Sequence, residues 1–166
     1  MSEAIPSHSF SLVPYFRYNS PMKPFWETKS LAEMTALEWE SLCDGCGRCC
    51  LVVLQDDETG KVWETEVACR LFDAKARRCT DYKNRHSRVP DCVKLTPDNA
   101  GALSWMPPTC AYRRLAHGEG LPDWHPLITG DPKSVSRAGI AVSRRLLSEA
   151  DIPDDELQDH VTKRRR

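Results

Sequence analysis

The chain has 166 residues, of which 40% are hydrophobic and 28% are charged. This is the size and composition of one globular domain that can bury a core of its own. The formal net charge is −1, so no overall field attracts polyanions such as nucleic acids. No apolar run approaches the roughly 20 residues of a membrane-spanning helix, and residues 1–16 lack the basic and unbroken apolar regions of a secretory signal. We therefore expect a cytoplasmic protein without a membrane partner, for which nucleic acid is a disfavoured ligand.

The N-terminal part, residues 1–29, has prolines scattered among aromatic residues and predicts an irregular arm. A helix is expected next, from Leu31 to about Leu42, with apolar residues at helical spacing. Ser30 and Glu33 have the spacing of a capping box, in which each side chain binds a free backbone N–H at the helix start. This helix would place Cys43 directly at its C-terminal end.

Two β-rich runs, residues 51–55 and 61–69, flank the turn-like residues 56–60 and predict a β-hairpin. In the second run, positions 63, 65 and 67 alternate with positions 62, 64 and 66, which is the pattern of a half-buried strand. The hairpin connects Cys49 and Cys50, before its first strand, with Cys69 at its end. Cysteines that are distant in sequence can thus be brought together.

The C-terminal half predicts shorter elements. A helix is expected around residues 102–117, split near Cys110 because two consecutive prolines precede it. Residues 134–142 have the composition of a strand, and residues 154–162 predict a final short helix that Pro153 introduces.

The expected fold is α+β: one compact, loop-rich domain with short helices and a β-hairpin organised around a cysteine-ligated metal centre. Its parts are an N-terminal arm over residues 1–29, a cysteine-cluster domain over residues 30–150, and a C-terminal helix and basic tail over residues 151–166.

Four of the eight cysteines fall within eight residues: Cys43, Cys46, Cys49 and Cys50. In a reducing compartment stable disulfides are rare, and clustered thiols are typical of metal ligands or redox groups. A C-x-x-C pair in a tight glycine-containing turn directs two sulfurs to one point, as zinc sites require. The remaining candidate ligands are Cys69, Cys79, Cys92 and Cys110.

The adjacent pair Cys49 and Cys50 leaves the number of metal centres open. In an extended strand neighbouring side chains point to opposite faces, so the two thiols share one metal only if the backbone bends there. Otherwise they serve different sites.

The identity of the metal is open as well. The C-x2-C-x2-C spacing begins the bacterial ferredoxin motif, but that motif continues with x3-C-P and this chain does not. An iron–sulfur cluster on three of these thiols and a distant cysteine remains an alternative, since thiolates suit zinc and iron–sulfur clusters alike. A thioredoxin-type thiol is disfavoured, because that motif starts a helix within a βαβ unit.

Several other residues are candidates around such a centre. His117 and His125 follow Cys110 and are possible supplementary metal ligands. Arg48, Arg70 and Arg85 lie near cysteines and could offset the negative charge of metal-bound thiolates. No residue is assigned a catalytic role.

The joint cysteine pattern resembles the bacterial family named CxxCxxCC. The matching positions are Cys43, Cys46, Cys49 and Cys50, then Cys69, then Cys79, Tyr82 and Arg85, then Pro90 and Cys92. Residues 108–131 are similar to the YcgN-type branch of that family, and the likeness covers roughly residues 20–150. The resemblance implies a domain that chelates zinc or iron.

The sequence therefore predicts a small cytoplasmic protein that binds zinc or iron through its cysteines, with no catalysis by this chain alone. The alternatives are an iron–sulfur protein in redox or enzyme catalysis, and a nucleic-acid or regulatory adaptor that uses the basic C-terminal residues.

Overall fold

The structure is a computed structural model that describes residues 23–165, with side chains as far as Thr162. Residues 1–22, most of the predicted N-terminal arm, lie outside the described residues. The arm's last residues form a one-turn helix, α1 (Phe25–Thr28). Phe25 and Trp26 stack edge to face and both pack against the core, so this end of the arm is an integral part of the domain.

The predicted helix over residues 31–42 is instead two short elements, a 3-10 turn (Leu31–Glu33) and helix α2 (Ala36–Ser41). The expected capping box is confirmed, since the Ser30 N–H donates to Glu33 Oε2 at 2.8 Å. A second capping box follows, in which the Thr35 N–H donates to Glu38 Oε2 at 2.8 Å. This second box starts a new helix after the extended residue Met34, which is why one continuous helix was the wrong prediction.

The predicted hairpin is confirmed. Strands β1 (Leu51–Gln55) and β2 (Val62–Ala68) are antiparallel, with Gln55 opposite Val62 and Leu51 opposite Ala68. The other edge of β2 pairs with two further strands, a parallel β5 (Leu147–Ser148) and an antiparallel β6 (Val161–Arg165). β2 is therefore the central strand of a four-stranded sheet.

A second sheet, of two strands, follows the hairpin in the sequence and precedes the next helices. Its strands are β3 (Phe72–Asp73) and β4 (Arg78–Cys79), paired antiparallel with Phe72 opposite Cys79. The one-turn helix α3 (Arg85–Arg88) follows. These short elements carry Cys79 and lead to Cys92.

The C-terminal half contains three more helices. Helix α4 (Ala111–Ala116) begins directly after Cys110, whereas residues 102–110 form turns, so the two prolines remove the first half of the predicted helix. Helix α5 (Pro126–Thr129) is a single turn, and helix α6 (Ser134–Arg137) lies where a strand was predicted. The strand prediction is wrong because the Asp131 carboxylate accepts the Lys133 N–H in a turn that leads into this helix, and also pairs with Arg137 at the end of the helix.

The C-terminal segment forms a 3-10 helix over Asp154–His160, preceded by Pro153 as predicted, and then strand β6. The 3-10 helix ends two residues before the predicted end of the helix. The residues expected as a basic tail include a strand that pairs with β2. Its register places Arg165 opposite Trp63, so the backbone there belongs to the sheet.

The helices enclose an apolar cluster, called here the helical core: Leu42, Ala100, Ala111, Tyr112 and Leu121. The Tyr112 hydroxyl donates to the carbonyl of Trp39 at 2.8 Å, and the two rings lie 4.7 Å apart. Cys110 packs against the same cluster. The α+β prediction is thus confirmed, and within residues 23–165 no helix is long and apolar enough to cross a membrane.

Candidate metal centre

The first cysteine-rich turn, residues 43–50, leaves the end of α2 and enters β1 through a 3-10 turn (Arg48–Cys50). Gly45 and Gly47 both have left-handed backbones, with φ of +67° and +79°. Gly47 also has no room for a side chain, since a Cβ there would lie 2.4 Å from Phe72 Cζ. The Val142 N–H donates to the Cys46 carbonyl at 2.8 Å, which attaches the turn to the C-terminal half.

Four cysteines share a local geometry in which the backbone N–H two residues further along donates to the sulfur. The pairs are Cys43 with Gly45, Cys46 with Arg48, Cys69 with Leu71, and Cys110 with Tyr112. The Cys110 sulfur also accepts the Arg113 N–H, which has the larger effect on its pKa. Such N–H groups stabilise a thiolate and orient it, as the hydrogen bonds around metal-bound sulfurs do. The four pairs lie in three separate parts of the chain, so the geometry is not a by-product of one turn.

The thiols fall into two groups that interact electrostatically. The first thiol group is Cys43, Cys46, Cys49 and Cys110. The second thiol group is Cys69, Cys79 and Cys92. Cys49 also interacts with Cys92, so the two groups are neighbours.

Cys50 lies at the junction between the groups. Its backbone carbonyl accepts the Cys69 N–H at 2.8 Å, and its own N–H donates to the Gly47 carbonyl at 3.1 Å. The 3-10 turn bends the chain at Cys49 and Cys50, so the alternation of a flat strand does not apply to them.

Asp44 belongs to the first thiol group although the sequence analysis did not select it. Its Oδ1 accepts the Cys46 N–H at 2.9 Å, while its Oδ2 is buried and has no hydrogen-bond partner among the described residues. Its charge acts on the thiols of Cys43, Cys46 and Cys110. A buried carboxylate oxygen can only accept, so it suits a cation or a proton. The available sequence signal was its position inside the C-x-x-C turn.

Burial keeps three thiols of the first group, those of Cys43, Cys46 and Cys110, protonated in the absence of a cation. It raises the pKa of Cys43 to about 12 and the pKa of Cys110 to about 11, and the charge of Cys49 adds to the effect. Burial raises the pKa of Cys46 well above its usual value too. A metal ion that binds here must therefore displace protons.

The residues fit a thiophilic metal in their chemistry. The donors are thiols, several have N–H groups aimed at the sulfur, and a partnerless carboxylate oxygen lies among them, which together suit zinc or iron. Across residues 23–162, no three Cys, His, Asp or Glu side chains converge closely enough to hold one ion. Coordination would require the thiols to turn toward a common point.

The two histidines predicted as supplementary ligands have other positions. His125 is fully buried, with Nε2 3.1 Å from the Leu42 carbonyl and Nδ1 accepting the Leu127 N–H. Both ring nitrogens are therefore used by the backbone. His117 ends α4 whereas Cys110 begins it, so the two residues lie about 10 Å apart along the helix axis. His117 is exposed at that end of the helix.

The three arginines predicted near the thiols have different partners. Arg48 is buried and pairs with Glu64 on β2, with Nε 2.7 Å from Oε1. Glu64 is only 2% exposed, so the predicted alternation of β2 fails because this ion pair draws the carboxylate inward. Arg85 hydrogen-bonds to the Cys92 thiol and stacks 3.8 Å over the Tyr82 ring. Arg70 donates to the Arg88 carbonyl at 2.7 Å.

Together these features define a class of protein: a small α+β domain whose cysteines lie in tight turns suited to a thiophilic metal. Comparison with known families agrees with this class. The CxxCxxCC family model, described as a "Putative zinc- or iron-chelating domain", matches residues 42–111. That range holds all eight cysteines.

Whole-chain relatives extend the match. A UPF0260 protein of Caulobacter vibrioides is 58% identical over 82% of this chain and 85% of its own length. UPF0260 proteins of Azotobacter vinelandii and Rhizorhabdus wittichii are 54% and 55% identical, over 84% and 86% of this chain and 94% and 96% of theirs. The chain therefore belongs to the UPF0260 family of CxxCxxCC proteins. No solved structure matches it.

Proposed function

We propose that this protein binds zinc or iron through its cysteines in the reducing cytosol, and that the metal stabilises the loop-rich part of the fold. The observation that carries the proposal is the set of N–H groups directed at the sulfurs of Cys43, Cys46, Cys69 and Cys110. Buried neutral thiols have little need of such donors, whereas metal-bound thiolates do. The family description supports the same chemistry.

Within this proposal the first thiol group supplies the principal ligands. Cys43, Cys46 and Cys49 come from one turn, and Cys110 comes from the start of α4, so a bound ion would connect the helical core to the sheet. A zinc ion bound by four thiolates carries a charge of about −2. The buried Arg48 guanidinium lies next to Cys49 in the chain, although its partner is Glu64. The metal would supply folding free energy and a fixed charge, and the protein would supply deprotonated thiols.

An iron–sulfur cluster is the second candidate, and a specific observation favours it. Three thiols at x2 spacing, Cys43, Cys46 and Cys49, share an electrostatic group with one distant thiol, Cys110. This is the three-plus-one arrangement that a cluster can use when the ferredoxin motif is incomplete. A protein with an iron–sulfur cluster should be coloured and sensitive to oxygen, whereas a zinc protein should be colourless and stable in air.

The test is purification of the full chain in air and under anaerobic conditions, followed by elemental analysis and a visible absorption spectrum. We expect stoichiometric zinc or iron, with visible charge-transfer absorption only if a cluster is present. Cys110→Ser should lower the metal content, whereas His117→Gln, at the exposed end of the same helix, should leave it unchanged. A wild-type protein that contains no metal and takes up neither Zn²⁺ nor Fe²⁺ in titration would contradict the proposal.

A further inference from the structure

His86, on helix α3, has one ring nitrogen committed and one free. Nδ1 lies 2.8 Å from the carbonyl oxygen of Cys92. A carbonyl oxygen only accepts, so Nδ1 carries a proton, and in the neutral imidazole Nε2 then has the lone pair that a metal ion requires. Nε2 is buried and has no hydrogen-bond partner among the described residues. A metal-binding histidine has this same arrangement, because its other nitrogen usually donates to a carbonyl or carboxylate.

The backbone places Cys92 beside this histidine and connects the loops of Cys69 and Cys79 to the same part of the fold. The Cys69 carbonyl accepts the Phe72 N–H at 2.8 Å, and Phe72 is paired with Cys79 across the β3–β4 hairpin. Cys92 follows α3 in a turn closed by its N–H, which donates to the Val89 carbonyl at 3.0 Å. The Arg70 guanidinium donates to the Arg88 carbonyl, which fastens the residue next to Cys69 to α3. Three thiols and an imidazole thus lie on connected loops, and their side chains must turn toward one point to bind an ion, since no three of them converge among the described residues.

We propose that Cys69, Cys79, Cys92 and His86 form a second metal centre, separate from the first thiol group. The inference rests on the proposed function and deepens it by dividing the ligands. Three thiolates and one histidine are a common ligand set for structural zinc, whereas the first group offers four thiolates. Zn²⁺ or another divalent ion that accepts sulfur and nitrogen, such as Co²⁺ or Fe²⁺, is the expected occupant.

The division accounts for the adjacent pair Cys49 and Cys50. Cys49 interacts with the other three members of the first group, and Cys50 contacts the second region through its carbonyl, which accepts the Cys69 N–H. Two four-ligand centres then use seven cysteines and His86, and Cys50 stays outside both. Arg85, which hydrogen-bonds to the Cys92 thiol, offsets the negative charge of the second centre.

The test uses His86→Asn in the full chain, because an Asn side chain places an amide N–H near the position of Nδ1 and has no counterpart of Nε2. The bond to the Cys92 carbonyl can therefore persist while the ligand is lost. The control is His117→Asn, which changes an exposed histidine at the end of α4. Each protein is reconstituted with Zn²⁺ under reducing conditions, freed of excess metal, and analysed for bound zinc. Far-ultraviolet circular dichroism checks that each variant is folded.

We expect His86→Asn to lose about half of the bound zinc and His117→Asn to lose none. Cys79→Ser and Cys43→Ser should each remove about half, and the pair together nearly all, since they belong to different centres. With Co²⁺ in place of zinc, the spectrum of His86→Asn should be that of an all-thiolate site. Cys50→Ser should retain the full metal content.

Two results would overturn the second centre while leaving the proposed function intact. One is a full zinc content in folded His86→Asn. The other is complete loss of zinc in both Cys43→Ser and Cys79→Ser, which would mean one shared centre. A wild-type protein that binds no zinc or cobalt at all would instead overturn the proposed function, and the second centre with it.

Discussion

The helical core and the cysteine region (residues 43–50 and 69–92) are stabilised in different ways. In the helical core, Leu42 and Ala100 are fully inaccessible to solvent. Tyr112 packs its ring against Trp39 and donates its hydroxyl hydrogen to the Trp39 carbonyl. Apolar burial of this kind stabilises without any ligand. In the cysteine region Cys46 is the one cysteine that is buried as a whole residue, the strands are short, and the charged pair of Arg48 with Glu64 is buried. Its order depends on polar contacts and, in our proposal, on metal.

Removal of the metal should give the largest difference between the two regions. After treatment with a chelator under reducing conditions, we expect backbone amides in the cysteine region to lose protection from hydrogen exchange. Amides around Trp39 and Tyr112 should keep theirs, because apolar packing persists there. Hydrogen exchange with mass spectrometry, before and after zinc is added back, measures this. Equal loss in both regions, or no loss in either, would show that the metal does not distinguish them.

Removal of the buried carboxylate should have the next largest effect. Glu64→Gln leaves the Arg48 guanidinium buried without its counter-charge, which we expect to lower the free energy of unfolding by about 3 kcal/mol. Urea denaturation measures the loss. The matched control is Glu66→Gln on the same strand, where the carboxylate is 54% exposed and lies 3.3 Å from His160 Nδ1, and it should change stability by less than about 0.5 kcal/mol. Similar losses in both variants would contradict a special role for the buried pair.

The two glycines of the first cysteine turn allow a finer comparison. Gly47→Ala should cost about 2–4 kcal/mol, because the left-handed backbone is strained and the new Cβ would press on Phe72. Gly45→Ala has the same backbone requirement but open space around it, so about 1 kcal/mol is expected. Denaturation of both variants under identical metal loading checks the order. A Gly45 variant as unstable as the Gly47 variant would mean that the contact with Phe72 contributes nothing.

The smallest effect expected is a pH dependence from His125 at the edge of the helical core. Burial lowers its pKa below the ordinary value of 6.5. Below about pH 6.5 the unfolded chain therefore binds a proton that the folded chain does not, so the free energy of unfolding falls as the pH falls. Above that pH the histidine is neutral in both the folded and the unfolded chain, so it contributes no further change in stability with pH.

His125→Gln, which keeps an amide donor for the Leu42 carbonyl, should flatten this part of the pH profile, whereas His117→Gln should not. Urea denaturation from about pH 8 to about pH 5.5 measures both variants. Thiol protonation on metal release is common to all of the proteins and cancels in the comparison. An unchanged slope in His125→Gln would assign the dependence to another group.

Local sequence signals determined a substantial part of this protein. The capping box at Ser30, the β-hairpin around residues 56–60, and the interruption before Cys110 follow from spacing and from proline stereochemistry. The spacing of the cysteines and glycines also predicted the tight turn that carries the thiols, because a C-x-x-C pair needs a turn of this kind to direct two sulfurs to one point. These features depend on interactions between residues that are close together in the sequence, so local patterns are enough to predict them.

Only the tertiary structure decided how the distant residues group. Nothing in the sequence pairs Arg48 with Glu64, and the burial of that carboxylate breaks the alternation expected for β2. Cys110 joins Cys43, Cys46 and Cys49 because α4 packs on the helical core. The contact between His86 Nδ1 and the Cys92 carbonyl, which leaves Nε2 buried without a partner among the described residues, appears only in the folded chain. The sequence thus determined that the thiols form tight turns, while long-range packing decided which thiols share a neighbourhood, since contacts of that kind have no local signature.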